Sequence, residues 1–164
     1  MGRKNRRKRD DYTRPLRIYP RRCVIHNDHS RNAPQRGDIW FADLGLHLGT
    51  CIQGGCRPVI VVSNDIGNLH AETVNVLPLT RHLKKPHLPC HTLLDPSAIS
   101  NTQQVLDPSM VLAEQVTTID KAQLRNYVGR VEDDSLLNSI NCALTSQLAL
   151  PETAMSHPEP TTPE

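Results

Sequence analysis

Short apolar runs separated by polar turns dominate the hydrophobic pattern of this chain, and they predict a protein built mainly of β-strands. The clearest run covers residues 59–62, four β-branched residues that lie between Pro58 and the polar segment 63–65. A run of this length and composition is typical of a strand that is covered on both faces. By the same criteria we predict strands over residues 38–43, 58–63, 73–79, 91–94, 109–114 and 127–131.

Two helices are predicted near the C-terminal end of the folded part. Asp120 can cap a short helix over residues 121–126, and Asp133 or Asp134 can cap a longer helix over residues 135–148. Many short strands followed by two helices favour a mainly β fold with α, a small and strongly bent antiparallel sheet or barrel with a helix at one end. The longer helix carries one apolar stripe, formed by Leu136, Leu137, Ile140, Leu144 and Leu148.

Three connections refine this picture. Residues 44–56 are rich in glycine and predict a long flexible loop. Residues 64–68 have the composition of a turn. Pro78, near the end of the third predicted strand, has no N–H to donate to a sheet, so that strand is expected at a sheet edge or beside a bulge.

Charge divides the chain into a basic arm and an acidic body. Residues 1–36 contain 12 Lys or Arg and three Asp, whereas residues 37–164 contain seven Lys or Arg and 14 Asp or Glu. The arm could contact nucleic acid nonspecifically, or it could simply be solvated. We predict a disordered N-terminal extension over residues 1–35, a folded domain over residues 36–150, and a disordered tail rich in Pro, Thr and Glu over residues 151–164.

Several classes of protein are disfavoured by composition. No apolar run reaches the roughly 18 residues that a membrane span needs, and the charged N-terminal stretch has no apolar segment after it, unlike a signal peptide. The five cysteines form no C-x-x-C pair, which gives little support to a zinc site and predicts reduced thiols in the cytoplasm. These cysteines are Cys23, Cys51, Cys56, Cys90 and Cys142.

The candidate chemistry lies where the glycine-rich loop enters the strand after Pro58. Arg57 occupies this junction, and its planar, permanently charged guanidinium matches phosphate oxygens. Thr80 ends the next strand with a hydroxyl, and a basic loop follows. Such groups could stabilise a phosphorane without a metal, and RNA supplies its own nucleophile, the 2′-OH. The simpler alternatives are a surface arginine at a strand edge and a threonine hydroxyl bonded to the backbone.

Five motifs occur in a fixed order along the predicted domain. They are Arg-Gly-Asp-Ile-Trp-Phe-Ala-Asp-Leu at 36–44, Gln-Gly-Gly-x-Arg-Pro-Val-x-Val-Val-Ser-Asn-Asp-x-x-Asn at 53–68, Pro-Leu-Thr at 78–80, Leu-Pro-x-His at 88–91, and Val-Leu-Ala-Glu-Gln-Val-x-Thr-Ile-Asp-Lys at 111–121. Each motif is weak alone, but the ordered series is specific. It resembles the MazF/PemK family, the toxin halves of bacterial type II toxin–antitoxin systems, and most closely the Gram-positive branch.

The resemblance implies a fold and an activity. The fold is an SH3-like β-barrel of the CcdB/MazF type with a C-terminal helix, which dimerises through its helices and sheet. The activity is that of an mRNA interferase, a sequence-specific, metal-independent endoribonuclease that cleaves single-stranded RNA to 2′,3′-cyclic phosphate and 5′-hydroxyl ends. A MazE-like antitoxin would neutralise it, and no cofactor is implied.

The resemblance also assigns roles to residues. Arg57 is expected to act in acid–base chemistry and phosphate stabilisation, and Thr80 is expected to support the transition state. Leu88 and Gln115 are expected to contact RNA bases, and the loop 49–55 is expected to cover the RNA or receive the antitoxin. The residues expected to bind RNA are Gln53, Gly54, Gly55, Arg81, Leu88 and Gln115.

The chain departs from the family pattern in places. Residues 49–53 read Gly-Thr-Cys-Ile-Gln where many members carry Gly-Ser-Glu-Gln, and Thr117 stands where many carry arginine. The cut-site preference is therefore expected to differ. Two alternatives stay open: a non-catalytic barrel module that binds RNA or an antitoxin, and a gyrase poison, because a related toxin family shares the barrel. The arginine of the Gly-Gly-x-Arg-Pro motif favours the ribonuclease.

Overall fold

The structure is a computed structural model that describes residues 33–83 and 85–151, which form one antiparallel sheet and two α-helices. The predictions of disorder for the basic arm and the C-terminal tail fall almost entirely outside these residues. The helices are α1 (Asp65–His70) and α2 (Asp134–Leu148). The strands are β1 (Asp38–Asp43), β2 (Cys56–Val61), β3 (Thr73–Thr80), β4 (His91–Leu94), β5 (Ile99–Ser100), β6 (Ser109–Leu112), β7 (Thr117–Asp120) and β8 (Leu124–Val131).

The sheet curls because β3 changes partners along one of its edges. The strand order is β4–β6–β3–β2–β1–β8–β5, and β7 pairs with the first half of β3. On that same edge the last two residues of β3 pair with β6 instead. The strands therefore wrap into a half-barrel, and the mainly β architecture with a C-terminal helix is confirmed.

Pro78 lies at the point where β3 changes partners. It is opposite Val59 of β2, and on the other edge of β3 it falls between the β7 pairing, which ends at Val76, and the β6 pairing, which begins at Leu79. β3 is thus an interior strand, and the expectation of a sheet edge is wrong. Pro78, which has no N–H, lies between the residues of β3 that pair with β7 and those that pair with β6.

The strands β1, β2 and β3 bury apolar side chains on both faces, as the β-branched run predicted. Alternate residues of a strand point to opposite faces, so each strand contributes to two clusters. Full burial of one such side chain is worth about 1.5–3 kcal/mol, which makes these three strands the rigid base of the molecule. One cluster includes Ile39, Ile60, Leu77, Leu79 and Ile140, and the other includes Ala42, Val59, Val61, Val74, Val76 and Ile119.

Helix α2 closes one end of the half-barrel. The Asp133 side chain caps it by accepting a hydrogen bond from the backbone N–H of Ser135, and Ala149 ends it in a left-handed conformation. The helix packs on β4 and on the 3₁₀ turn Ala113–Gln115. Within the described residues, no helix is both long and apolar enough to cross a membrane. Of the predicted stripe, Ile140 is buried, Leu136, Leu137 and Leu144 pack against the core, and Leu148 is half exposed.

Several short segments differ from the sequence prediction. Residues 64–68, predicted as a turn, form the N-cap and the first turn of α1, where the Asn64 side chain accepts the N–H of Gly67. The short helix predicted over residues 121–126 is only the 3₁₀ turn Lys121–Gln123. There the Gln123 side chain accepts the N–H of Asp120, which closes a capping box before the chain enters β8.

Strand β7 was not predicted from the sequence. It contains two exposed threonines, Thr117 and Thr118, and its one buried residue is Ile119. A single apolar residue in four gives no readable alternation, and the strand exists because it pairs with the distant β3. The preceding strand β6 also ends two residues earlier than predicted, where the 3₁₀ turn Ala113–Gln115 begins.

Candidate functional site

Arg57 is the second residue of β2, where the glycine-rich loop becomes strand. Its Nε donates a 2.7 Å hydrogen bond to the carbonyl oxygen of Gly54, so the guanidinium is oriented by its own loop. Within residues 33–83 and 85–151, no acidic side chain forms an ion pair with it. Its two terminal amino groups form a planar cationic fork of the kind that suits an anionic ligand.

Thr80 is the last residue of β3, the strand that pairs with β2. The β2–β3 pairing extends as far as Val59 opposite Pro78, so Arg57 and Thr80 each lie two residues beyond the last paired position, at the same end of the two strands. On the other side of Arg57 lies the buried Ala42 of β1. The two predicted catalytic residues therefore lie at the same end of neighbouring strands, beside the second apolar cluster.

The hydroxyl of Thr80 is buried, and its oxygen accepts a 3.2 Å hydrogen bond from the backbone N–H of His82. This is the backbone bond that the simpler alternative predicted. The oxygen is the acceptor in that bond, so the hydroxyl proton can still be donated to a ligand. The structural contact and a role toward phosphate are therefore compatible.

Two glycines, one near each end of the loop between β1 and β2, close the neck of this loop, the point where its two ends meet. The N–H of Gly55 donates to the carbonyl oxygen of Gly45 at 2.6 Å, and both residues have positive φ, 73° and 75°. Glycine adopts this conformation without the steric cost that a Cβ imposes. Beyond the neck, the loop presents three apolar side chains to solvent, namely Leu46 (81% exposed), Leu48 (79%) and Ile52 (58%).

Gln115 ties this loop to the opposite side of the site. Its Oε1 accepts the N–H of Gln53 at 2.7 Å, and its Nε2 donates to the carbonyl oxygen of Cys51 at 3.3 Å. Two residues predicted to bind RNA are therefore in direct contact, although 62 positions separate them in the sequence.

The loop that follows Thr80 carries two more predicted RNA contacts, Arg81 and Leu88. Arg81 Nη1 lies 2.9 Å from Asp107 Oδ2, and both side chains are more than half exposed. An exposed pair of this kind is worth at most about 1 kcal/mol, so the ion pair with Asp107 orients Arg81 only weakly. Leu88 is half-buried in a turn, where its N–H donates to the carbonyl oxygen of Lys85. Among the described residues, no hydrogen bond joins Leu88 to Arg57.

The sequence analysis missed a cluster formed by Cys90, His91 and Glu114. His91 Nε2 lies 3.2 Å from Glu114 Oε1, and the side-chain sulfur, nitrogen and oxygen atoms of the three residues all lie within 4.8 Å of one another. Burial, together with the neighbouring Glu114 carboxylate, raises the pKa of the Cys90 thiol. The adjacency of Cys90 and His91 was visible in the sequence, but only the fold brings Glu114 to them.

An open pocket of about 710 Å³ lies at the other end of β1. It is lined in part by Asp38, Arg130 and the aromatic pair Trp40 and Tyr127, whose ring centroids are 5.1 Å apart in an edge-to-face arrangement. Burial raises the pKa of Asp38, although the Gln35 N–H and the Arg130 charge oppose the shift. Arg57 faces the end of β1 at Ala42, so this pocket is separate from the candidate site.

Comparison with known proteins connects this geometry to a family. A sequence model described as "PemK-like, MazF-like toxin of type II toxin-antitoxin system" matches residues 35–148. Endoribonuclease EndoA of Bacillus subtilis (strain 168) is 38% identical over 116 residues, which cover 71% of this chain and 95% of EndoA. Endoribonuclease MazF of Staphylococcus saprophyticus is 33% identical over 123 residues, covering 75% of this chain and 97% of that protein.

Solved structures share the fold. An endoribonuclease from Mycobacterial species, solved in complex with its cognate antitoxin, gives a TM-score of 0.58 at 29% identity and covers 74% of this chain and 100% of that chain. MazF from Deinococcus radiodurans gives a TM-score of 0.57, covering 73% of this chain and 100% of that chain; its 20% identity makes the likeness one of fold alone. The half-barrel with a C-terminal helix is therefore the MazF-type fold that the motifs implied.

Proposed function

Because the chain belongs to the PemK-like, MazF-like toxin family of type II toxin–antitoxin systems, we propose that it is an endoribonuclease toxin that cleaves single-stranded RNA with Arg57 and Thr80. The observation that supports the assignment of residues is their position at the same end of the neighbouring strands β2 and β3. One supplies an oriented cation and the other a buried hydroxyl, which together match the charge and hydrogen-bonding needs of a phosphate.

The reaction uses a nucleophile that belongs to the RNA. The 2′-oxygen attacks the adjacent phosphorus, the bond from phosphorus to the 5′-oxygen breaks, and the products carry a 2′,3′-cyclic phosphate and a 5′-hydroxyl. The 2′-hydroxyl loses one proton and the leaving 5′-oxygen gains one, so water is not consumed. The protein must therefore position the phosphate, assist the two proton transfers and stabilise the phosphorane.

Arg57 suits stabilisation of the phosphorane best. Negative charge grows on the non-bridging oxygens in the transition state, and two parallel N–H donors from a guanidinium can match them. The Nε–Gly54 bond fixes the direction of the fork before RNA arrives. The hydroxyl of Thr80, at the same end of the neighbouring strand, can donate to another phosphate oxygen. Loss of the preorganised donors of Arg57 is expected to slow the reaction by about 10²- to 10³-fold.

The two loops beside these residues would hold the RNA. The proposed contacts are Gln53, Gly54 and Gly55 from the first loop, Arg81 and Leu88 from the second, and Gln115 from the turn that joins them. Few aromatic side chains lie in these segments. Base recognition would therefore depend on hydrogen bonds and backbone contacts more than on stacking.

Three partner and location proposals complete the function. The toxin would act as a homodimer in the cytoplasm and would be neutralised by a MazE-like antitoxin. The antitoxin is supported by the Mycobacterial relative that was solved with its cognate antitoxin. The exposed apolar side chains Leu46, Leu48 and Ile52 offer a surface on the first loop that such a partner could cover. Light scattering after size-exclusion chromatography would test the dimer directly.

The decisive experiment maps cleavage of a long single-stranded RNA in EDTA. We expect the wild-type chain to cut at a recurring short sequence and Arg57→Ala to leave the RNA intact. Arg130→Ala is the matched control, because it removes an arginine at the opposite end of the sheet. If folded wild-type protein does not cut, the non-catalytic module that binds RNA or an antitoxin becomes the better assignment, and the altered loop residues Cys51 and Ile52 become the first suspects.

A further inference from the structure

Cys90, His91 and Glu114 direct three different ligand atoms toward one point. The Cys90 sulfur, a His91 ring nitrogen and a Glu114 carboxylate oxygen all lie within 4.8 Å of one another. The distance from His91 Nε2 to Glu114 Oε1 is already 3.2 Å. This is close to the separation of about 3.3 Å between two ligands in a tetrahedral site with metal–ligand bonds of about 2.0–2.1 Å.

The other ring nitrogen of His91 is fixed by the backbone. Nδ1 lies 3.0 Å from the carbonyl oxygen of Lys85, which can only accept, so Nδ1 must carry the proton. Nε2 is then the atom that points into the cluster, and the His91 side chain is only 10% exposed. Metal-binding histidines characteristically donate their second N–H to a carbonyl or carboxylate in this way.

The three ligands stand on two segments that are joined by backbone hydrogen bonds. His91 pairs with Leu112 across β4 and β6, and the N–H of Ala113 donates to the carbonyl oxygen of Cys90 at 3.0 Å. These backbone contacts therefore hold the two segments that carry the three ligands next to each other. The Glu114 side chain is 31% exposed, which leaves a side open for a fourth, solvent ligand.

We propose that Cys90, His91 and Glu114 form a binding site for a zinc-class divalent cation. A thiolate and an imidazole favour Zn²⁺ or Co²⁺ over Mg²⁺ or Ca²⁺, which prefer oxygen ligands alone. The cation replaces the thiol proton, which passes to solvent, and no electron is transferred. The site contains neither Arg57 nor Thr80, so it is separate from the residues proposed for RNA cleavage.

Occupancy of this site would link the two loops that flank the proposed active site. Leu88 lies two residues before Cys90, and Gln115 directly follows Glu114 while it holds the loop at Cys51 and Gln53. A bound cation would restrain the two segments against each other. This consequence rests on the proposed function, whereas the existence of the cation site does not.

The test is a Co²⁺ titration of the reduced, metal-stripped full-length chain. We expect one equivalent per chain, with a thiolate-to-cobalt charge-transfer band and tetrahedral visible absorption that Zn²⁺ abolishes at the same stoichiometry. Cys90→Ser should remove the charge-transfer band and weaken binding by about 100-fold or more, an effect at least as large as the loss of an outer-shell partner. Glu114→Gln and His91→Gln should also weaken binding.

Two cysteine controls make the result specific. Cys142→Ser removes an exposed cysteine on α2 and should leave the spectrum unchanged. Cys23→Ser tests the N-terminal arm, where Cys23, His26 and His29 offer other ligands within a short stretch. Failure of Co²⁺ to saturate, or a charge-transfer band that survives in Cys90→Ser, would overturn the proposal. Circular dichroism melting of each variant confirms that it folds, and the spectrum does not depend on whether the protein cleaves RNA.

Discussion

The two halves of the proposed site are built in different ways. Arg57 and Thr80 stand on neighbouring strands whose side chains are buried on both faces of the sheet. The proposed RNA contacts stand on exposed loops that are held by a few hydrogen bonds, chiefly those of Gln115, and by one exposed ion pair, between Arg81 and Asp107. The strand half, Arg57 and Thr80, is therefore fixed by the core. The loop half, which comprises the proposed RNA contacts, is held by contacts that a ligand can replace.

Because of this contrast, the two halves should control different steps, the chemical step and the binding of RNA. Phosphate activation requires donors held close to one geometry, and a displacement of about 1 Å can cost 10²-fold in rate. Recognition allows protein contacts to be exchanged for contacts with RNA, provided that the lost contacts are weak. Changes in the strand half should therefore lower the rate of the chemical step, and changes in the loop half should mainly raise the RNA concentration that is needed.

The largest expected effect comes from Arg57→Lys. Lysine keeps the charge but loses the planar fork and the Nε–H that bonds to Gly54. We expect the single-turnover rate at a mapped cut site to fall by about 10²- to 10³-fold. Arg81→Lys is the matched change in the loop half and should alter the rate by less than about 10-fold, because Arg81 is proposed to bind RNA and not to act on the reacting phosphate. Equal losses in the two variants would contradict the division between the halves.

Thr80→Val is expected to give the next largest effect. Valine keeps the β-branched shape but removes the hydroxyl, so the rate should fall by about 10- to 100-fold, the value of one hydrogen bond to a charged group. The His82 N–H also loses its acceptor, at a cost of about 1 kcal/mol in stability. Thr80→Ser restores the hydroxyl and should recover most of the rate in single-turnover assays. A fully active Thr80→Val would limit Thr80 to a structural role.

Gln115→Ala is expected to act on binding more than on chemistry. The variant loses the amide that is proposed to bond to a base, a contact worth about 0.5–1.5 kcal/mol, so the KM for RNA should rise by about 3- to 10-fold while kcat changes little. The two hydrogen bonds from Gln115 to the loop disappear as well. Amide hydrogen exchange at residues 51–53 should also become faster. Gln147→Ala on the exposed side of α2 is the control. A large fall in kcat with unchanged KM would place Gln115 with the strand half instead.

The same contrast explains which parts of the molecule could be predicted from sequence. The strand half could be predicted from local sequence features. The β-branched run implied a strand buried on both faces, and the Gly-Gly-x-Arg-Pro motif placed Arg57 at its start. The helix α2 was equally readable from its apolar stripe and its Asp133 cap. In each case the residues that define the element are neighbours in the chain.

The features that the sequence did not predict depend on distant partners. β7 has a polar pattern and exists through pairing with β3, and the contact between Gln115 and Gln53 joins residues 62 positions apart. The approach of Glu114 to His91 spans 23 positions. Cysteine spacing argued against a metal site, but spacing reports only ligands that are close in the chain. Pairing between distant segments brings such ligand residues together without leaving a pattern in the local sequence.

The smallest expected effect tests whether the far end of β1 is independent of the site. Burial raises the pKa of Asp38 above its ordinary value, so the folded state binds more protons than the unfolded chain between the two pKa values. The contribution of Asp38 to the free energy of unfolding should therefore increase as the pH falls through this window, and Asp38→Asn should lack that change.

Urea unfolding of both proteins from neutral pH down to about pH 4, near the ordinary pKa of aspartate, measures the difference. The wild type should gain stability relative to Asp38→Asn as the pH decreases. RNA cleavage at neutral pH should stay within about twofold, because Ala42, four residues along β1, is the residue that faces Arg57. If Asp38→Asn also lost RNA cleavage, a change at one end of β1 would affect the other end. The strand half would then not be fixed independently of the rest of the sheet.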